Sequence, residues 1–383
     1  MNAVELTAAL VQFDSRNPTL VPGSPGERGV ACFLARVLED WGFRTDLVDV
    51  VNGRTNLIAR AGAGMPNSRT LMLNGHLDVV GTDDMTHPPF VPSITDGLLY
   101  GRGSADMKGG IAAMCVAARD AVRRGIDGEV VIAAVIDEEY DSIGTRALIV
   151  SGVSADAAII TEPTALAVCP AHRGFVWAQL DFHGRAAHGS RYDLGVDAIT
   201  GAALVIAELD HMQREVLCNS SHPLLGRASL HASLISGGTG ISTYPEHCSV
   251  EIERRTIPGE TAQTFLDELD EACREVRRWH PALAVEIQLT TSQGTSDVPV
   301  GTPVVHELGR ALDAEKLPVR IEGLSAWTDA ALLNAAGIPT ICFGPGDIAL
   351  AHSATEWVPV RQIHEATRVL DRFIGEWCNA IRS

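Results

Sequence analysis

Residues 71–80 read Leu-Met-Leu-Asn-Gly-His-Leu-Asp-Val-Val, an apolar run that ends in polar side chains. The run has the length and composition of a buried strand, and His76 and Asp78 fall two apart at its C-terminal end. In extended backbone, residues i and i+2 point to the same side. A histidine whose second ring nitrogen is held by a carboxylate is the usual build of a metal ligand and its support. Taken alone, the pair fits two surface polar residues equally well, so its meaning depends on what the chain brings beside it.

Two further apolar runs end the same way. Val130 to Ile136 is rich in β-branched residues and runs into Asp137-Glu138-Glu139. Ala157 to Ile160 runs into Thr161-Glu162-Pro163. A small-residue helix, Ile111 to Arg124, lies between the first two. Apolar strands alternating with helices define an α/β domain with a mostly parallel central sheet. Ligands of such sheets bind at the C-terminal strand ends. His76, Glu138, Glu139 and Glu162 all fall there, from three strands.

The pattern changes beyond Arg173. Phe175–Phe182 alternates as a half-buried strand, Val196–His211 is helical, and Ser229–Ile235 and Cys248–Arg254 are strands. Gln263–Trp279 is an amphipathic helix, and Leu283–Leu289 a last strand. This β-α-β-β-α-β order is the ferredoxin-like α+β plan. Residues 174–291 are therefore expected to form a compact second domain inserted into the first. Residues 1–173 and 292–383 form the discontinuous catalytic domain.

Composition limits the partners. The 383-residue chain carries a formal net charge of −18. Nucleic acid and anionic membrane both call for basic surface, so neither is an expected partner. The N-terminus lacks the basic region and apolar core of a signal peptide. Eight scattered cysteines with no Cys-x-x-Cys pair read as free thiols, which places the protein in the cytoplasm.

Asp78, Asp106, Glu138, Glu139 and Glu162 cannot all stay ionised and unpaired in one crevice. One or two divalent cations resolve the repulsion. With His76 and His352, the set suits zinc first, and cobalt or manganese as alternatives. A bridging carboxylate between two ions about 3.5–4 Å apart makes a hydrolytic centre.

A family resemblance then rests on these motifs in order: HLDVV (76–80), YGRGSADMKGG (100–110), DEE (137–139), TEP (161–163), RTIPGE (255–260), TDA (328–330) and FGPGD…AHSATEWV (343–358). They resemble the di-metal aminoacylase/carboxypeptidase G family, which includes acetylornithine deacetylase and succinyl-diaminopimelate desuccinylase. The resemblance implies that His76, Asp106 and Glu162 hold one ion and that Asp106, Glu139 and His352 hold the second. It implies Glu138 as general base, Asp78 as the acid behind His76, and His188 as a contributor to the oxyanion hole. It implies Arg255 as the grip on a substrate carboxylate, a cis peptide bond between Asp106 and Met107, and residues 174–291 as the lid and dimerisation domain of a homodimer.

Recognition elements depart from the family pattern. Ser242 stands where Asn is usual before Pro245, and Ser325-Ala326-Trp327 replaces a Gly-Gly before TDA. With the Gly344-Pro345-Gly346 turn, Ser242 and Trp327 are read as pocket-shaping, substrate-binding residues. The expected function is a metal-dependent amide hydrolase that uses metal-activated water on a small carboxylate-bearing substrate. It would act as an N-acyl amino acid deacylase or as a dipeptidase or carboxypeptidase. Deamination or decarbamoylation of a non-peptide molecule on the same site is the alternative. A non-catalytic binding protein is disfavoured, because Glu138 and all five ligand positions are intact.

Overall fold

In the computed structural model, which describes residues 1–215 and 217–382, the strand Thr70–His76 is at the centre of a sheet. The order across that sheet is Arg44–Val51, Arg54–Gly62, Glu129–Val135, Thr70–His76, Ala157–Ile160, Thr340–Cys342 and Val168–His172. The four strands from Glu129–Val135 to Thr340–Cys342 run parallel. Antiparallel neighbours flank them on both sides. The parallel core follows from its composition: Leu71, Leu73, Ile132 and Ile159 are all fully buried. Each such side chain contributes about 1.5–3 kcal/mol on burial, against about 1–2 kcal/mol of backbone ordering per residue. The outer strand Arg44–Val51 is mostly exposed and has no such surplus.

The helices Gly109–Arg124 and Val360–Cys378 pack on each other and on the two central strands. The first of them starts at a glycine pair for a steric reason. A Cβ on Gly110 would lie 1.9 Å from the Thr161 carbonyl oxygen. The helix N-terminus therefore presses directly on the strand end that carries Glu162.

The long stretch from Gly81 to Gly103 reads as loop but contains Ser93–Thr95 and Leu98–Tyr100, which form a three-stranded sheet with Trp357–Pro359. Three-residue strands are too short to show a period, and Ser93–Thr95 is exposed throughout. Past them, Ser104–Lys108 makes an irregular turn whose Asp106–Met107 peptide bond is cis.

The chain divides into two compact units. One comprises Met1–Pro170, Val298–Leu324 and the stretch from Thr328 onward; the other comprises Ala171–Asp297 and Ser325–Trp327. The tripeptide ending in Trp327 thus belongs to the second unit, although its sequence neighbours do not. In that unit the strands lie in the order Ser229–Gly237, His247–Thr256, Gly174–His183, Ala284–Gln293, all antiparallel. The helices Ala198–Glu215 and Ala262–Arg277 pack together and on that sheet. Chain order and sheet order together are the ferredoxin-like arrangement. Its core uses alternate residues of the first strand, Val176, Ala178, Leu180 and Phe182, against Leu209, Phe265 and Leu269. Among the described residues, no helix is long and apolar enough to cross a membrane.

Candidate metal centre

The parallel strands and two loops of the first unit bring seven of the expected side chains together. His76 ends its strand fully buried, with Nε2 3.0 Å from Asp106 Oδ1 and 3.7 Å from Glu162 Oε1. His352 Nε2 lies 2.9 Å from Glu139 Oε2 and 3.5 Å from Asp106 Oδ2. Asp106 therefore stands between the two histidines, one oxygen toward each. His76, Asp106 and Glu139 each offer a donor atom within 4.8 Å of the others. His352 reaches the site from a loop with a left-handed backbone, φ +59°.

Asp78 behaves differently from the simplest reading of His-x-Asp. The nearer partner of His76 Nδ1 is the Asp78 backbone carbonyl, at 3.0 Å, with the carboxylate at 3.7 Å. A carbonyl only accepts, so Nδ1 carries the proton. That tautomer leaves Nε2 aimed at the carboxylates. The Asp78 carboxylate instead accepts from the backbone N–H groups of Glu138 and Glu139, both at 3.2 Å, and from Asn17 Nδ2 at 2.9 Å. It fixes the turn that presents the general-base candidate and its neighbour. Asn17 also donates to Asp137 Oδ1, which Arg54 engages at 2.7 Å while pairing with buried Glu27.

The electrostatics test whether these residues suit a cation. Burial pushes the carboxyl groups of Glu138 and Glu162 well above the usual range, and that of Glu139 upward as well. The charge of Asp106 adds to the shift at Glu139 and Glu162. Asp106 itself is held low: burial opposes its charge, but hydrogen bonds from His352 and His76 outweigh it. His352 is pushed up to about 10 by its hydrogen bonds to Asp106 and Glu139. His76 also rises, its burial outweighed by Asp106 and Glu162. The carboxylates thus hold protons on two imidazoles and compete for more. A divalent cation would take the place of those protons, and the mixed nitrogen and oxygen donor set of His76, His352, Asp106, Glu139 and Glu162 fits one.

The remaining expected residues stand elsewhere. Gly344 packs against the Glu162 segment, where a Cβ would lie 2.4 Å from the Thr161 oxygen, and Gly346 has φ +93° and donates to Gln362. In the second unit, His188 is exposed, with Nδ1 2.8 Å from Ser190 Oγ, and the adjacent Gly189 N–H donates to the Ser242 carbonyl. Arg255 is in a different part of that unit. Its Nε lies 3.1 Å from Glu253 Oε1 and its guanidinium 5.4 Å over the Phe175 ring. Trp327 packs edge-on to Phe175 and His172 and donates from Nε1 to the Gly294 carbonyl at 2.9 Å.

Sequence reading gave no role to several buried or half-buried polar groups around the centre: Asn17, Glu27, Arg54, Asp329 and Glu356. Burial pushes the Asp329 carboxyl up to about 6, and it accepts from Thr145 Oγ1 at 2.5 Å. Asp329 and Glu356 fall inside the TDA and AHSATEWV motifs but drew no role there, and Asn17, Glu27 and Arg54 carried no local signal, because their partners lie far away in sequence.

Two histidines and three carboxylates, drawn from parallel-strand ends and two loops, make a donor set suited to a metal-dependent hydrolase. The comparisons agree. The sequence model described as peptidase family M20/M25/M40 matches residues 72–376. Acetylornithine deacetylase of Myxococcus xanthus is 31% identical over 330 residues, covering 85% of this chain and 84% of that protein. The N-formyl-4-amino-5-aminomethyl-2-methylpyrimidine deformylase of Bacillus subtilis is 27% identical over 408 positions, covering 98% and 94%. Among solved structures, the Bacillus subtilis YXEP protein, described as a dinuclear metal-binding peptidase, superposes with a TM-score of 0.75. That match has 15% identity and covers 99% of this chain and 98% of the other. The chain belongs to peptidase family M20/M25/M40, and it is a metal-dependent hydrolase of amide bonds.

Proposed function

We propose that the protein removes an acyl group from, or cleaves the peptide bond of, a small substrate that carries a free carboxylate. The observation that carries this is the convergence of His76, Asp106, Glu139, Glu162 and His352 around the shared Asp106. His76, Asp106 and Glu162 would hold one ion and Asp106, Glu139 and His352 the other, zinc first, with cobalt or manganese able to serve. Bound divalent ions supply Lewis acidity and lower the pKa of water. Glu138 takes a proton from the attacking water and delivers it to the leaving nitrogen. Asp78 holds the Glu138 and Glu139 backbone in place for this. His188 supplies a donor to the developing oxyanion. Arg255 grips the carboxylate with a fork that an ammonium lacks, and Ser242, Trp327, Gly344 and Gly346 shape the pocket.

A second reading, a non-peptide amide bearing a flat ring, is favoured by one feature. Phe175, Trp177 and Trp327 form an aromatic cluster capped by Arg255, with Phe175 and Trp177 centroids 5.2 Å apart. The relatives include a pyrimidine deformylase by name. A panel of N-acyl amino acids, dipeptides, and N-formyl or carbamoyl heteroaromatic amines separates the two. Turnover confined to carboxylate-bearing amides, lost in their carboxamide analogues and in Arg255→Ala, supports the first. Indifference to the carboxylate, or an Arg255→Ala enzyme that discriminates as well as wild type, contradicts it.

The acidic chain is proposed to work in the cytoplasm, where its eight free cysteines, six of them buried, stay reduced. It is further proposed to act as a homodimer through the second unit, residues 174–291 serving as lid.

A further inference from the structure

Glu356 lies four residues beyond His352, and no role in binding or chemistry has fallen to it. Its side chain is 1% exposed. Oε2 accepts from Arg102 Nη1 at 2.8 Å and from the Gly103 N–H at 3.0 Å. Oε1 accepts from the Ala105 N–H at 2.9 Å and from the Asp106 N–H at 3.1 Å. Successive backbone N–H groups wrapped around an anion form a nest. Here the anion is supplied by the chain itself, and the nest is the turn that presents Asp106. The paired Arg102, 2% exposed, also donates from Nε to the Gly81 carbonyl at 3.1 Å and from Nη1 to the Ser353 carbonyl at 3.3 Å. Ser353 follows His352 directly. One buried ion pair therefore ties the loop of the shared carboxylate to the loop of the second histidine, about 250 residues away in sequence.

We propose that Glu356, with Arg102, is the positioning pair that sets Asp106 and His352 in place before any ion binds. The proposal rests on the metallohydrolase reading above and adds to it the source of the site's preorganisation. Four donors and no acceptor face the carboxylate, and this makes the conservative substitution informative. In Glu356→Gln the volume is unchanged, yet either orientation of the amide turns its NH₂ toward two N–H donors. The turn must open, and the carboxylate of Asp106 loses its fixed direction. Partners of metal ligands typically carry about 10–100-fold in affinity.

The test is cobalt(II) titration of the metal-free full-length protein, followed by the visible absorption of the bound ion. Glu356→Gln is expected to keep the wild-type far-ultraviolet circular dichroism and to bind cobalt about 10–100-fold more weakly. Saturating cobalt should restore kcat toward wild type with KM unchanged. A lowered Tm with wild-type cobalt affinity is the signature of a merely structural residue and overturns the proposal. So does a kcat that stays low at saturating cobalt while affinity is intact. Should Glu356→Gln fail to fold, Arg102→Lys decides. It keeps a cation beside Glu356 but loses the bonds to Gly81 and Ser353, so a folded variant with weakened cobalt binding supports the pair, and unchanged binding sinks it. A wild-type protein that takes up no cobalt would overturn the metallohydrolase reading as well. Uptake by wild type with an indistinguishable Glu356→Gln overturns only the positioning role.

Discussion

Glu138 and Glu139 are adjacent in sequence, yet they are expected to fail in opposite ways. Glu139 lies 2.9 Å from His352 and has a side chain only 6% exposed, whereas no histidine lies within ion-pair distance of Glu138 among the described residues. Glu138→Gln should therefore keep its metal and lose about 10²–10⁴ in turnover, the usual reach of a general base. Glu139→Gln should lose metal first, with turnover following occupancy. Metal analysis beside steady-state kinetics checks both, and a reversal of the two patterns would mean the roles are exchanged. The reason this pair was legible in sequence is that an apolar strand ends directly in it. Asn17 and Arg54 were not legible, because a polar residue inside the fold declares itself only through its partners, and Glu356 stood in a quoted motif without a role until its partners were seen. Asn17 meets Asp78 across 61 positions and Asp137 across 120, and no local spacing encodes that. The same limit explains Asp78, whose carboxylate was read as the support of His76 but binds mainly to backbone N–H groups of the Glu138 turn.

At the scale of elements, the parallel strands Glu129–Val135, Thr70–His76 and Ala157–Ile160 were readable because each contains an apolar run, as burial on both faces requires. The Ser93–Thr95, Leu98–Tyr100 and Trp357–Pro359 strands were not, since three residues carry no period. The helix that follows the cis Asp106–Met107 bond illustrates how sequence and packing meet. Gly109 and Gly110 look like a weak helix start, but the Thr161 carbonyl leaves no room for a side chain at Gly110. Gly110→Ala should push the helix off the strand that carries Glu162 and cost about 1–3 kcal/mol or more, as overpacking does. A guanidinium unfolding midpoint unchanged from wild type would show that the strand end yields. In the second unit, the alternation of Val176, Ala178, Leu180 and Phe182 made the sheet face readable. The inclusion of Ser325–Trp327 in that unit could not be read, because three residues far along the chain give no sign of where they return.

For the whole molecule, the ferredoxin-like unit leaves a problem at its edge. Among the described residues, Ser229–Gly237 has no outer partner in its sheet, and Leu234 and Ile235 are 62% and 57% exposed. An apolar open edge invites a second strand, so the proposed homodimer is expected to form there. Leu234→Lys with Ile235→Lys should give a monomer by light scattering, and a wild-type protein that is already monomeric at micromolar concentration would count against the dimer. The fold class was legible in the strand pattern, and His76, Glu139 and Glu162 were legible at strand ends, whereas their assignment as metal ligands, with Asp106 and His352, came from the family resemblance. The proposed chemistry rests on two ions held around Asp106. Its most direct test is stepwise addition of zinc or cobalt to the metal-free enzyme, with hydrolysis of the best amide from the panel as readout. No turnover is expected without metal, and the rise should be complete only at two ions per chain. Full turnover by the metal-free protein, or a plateau at one ion per chain, would contradict it.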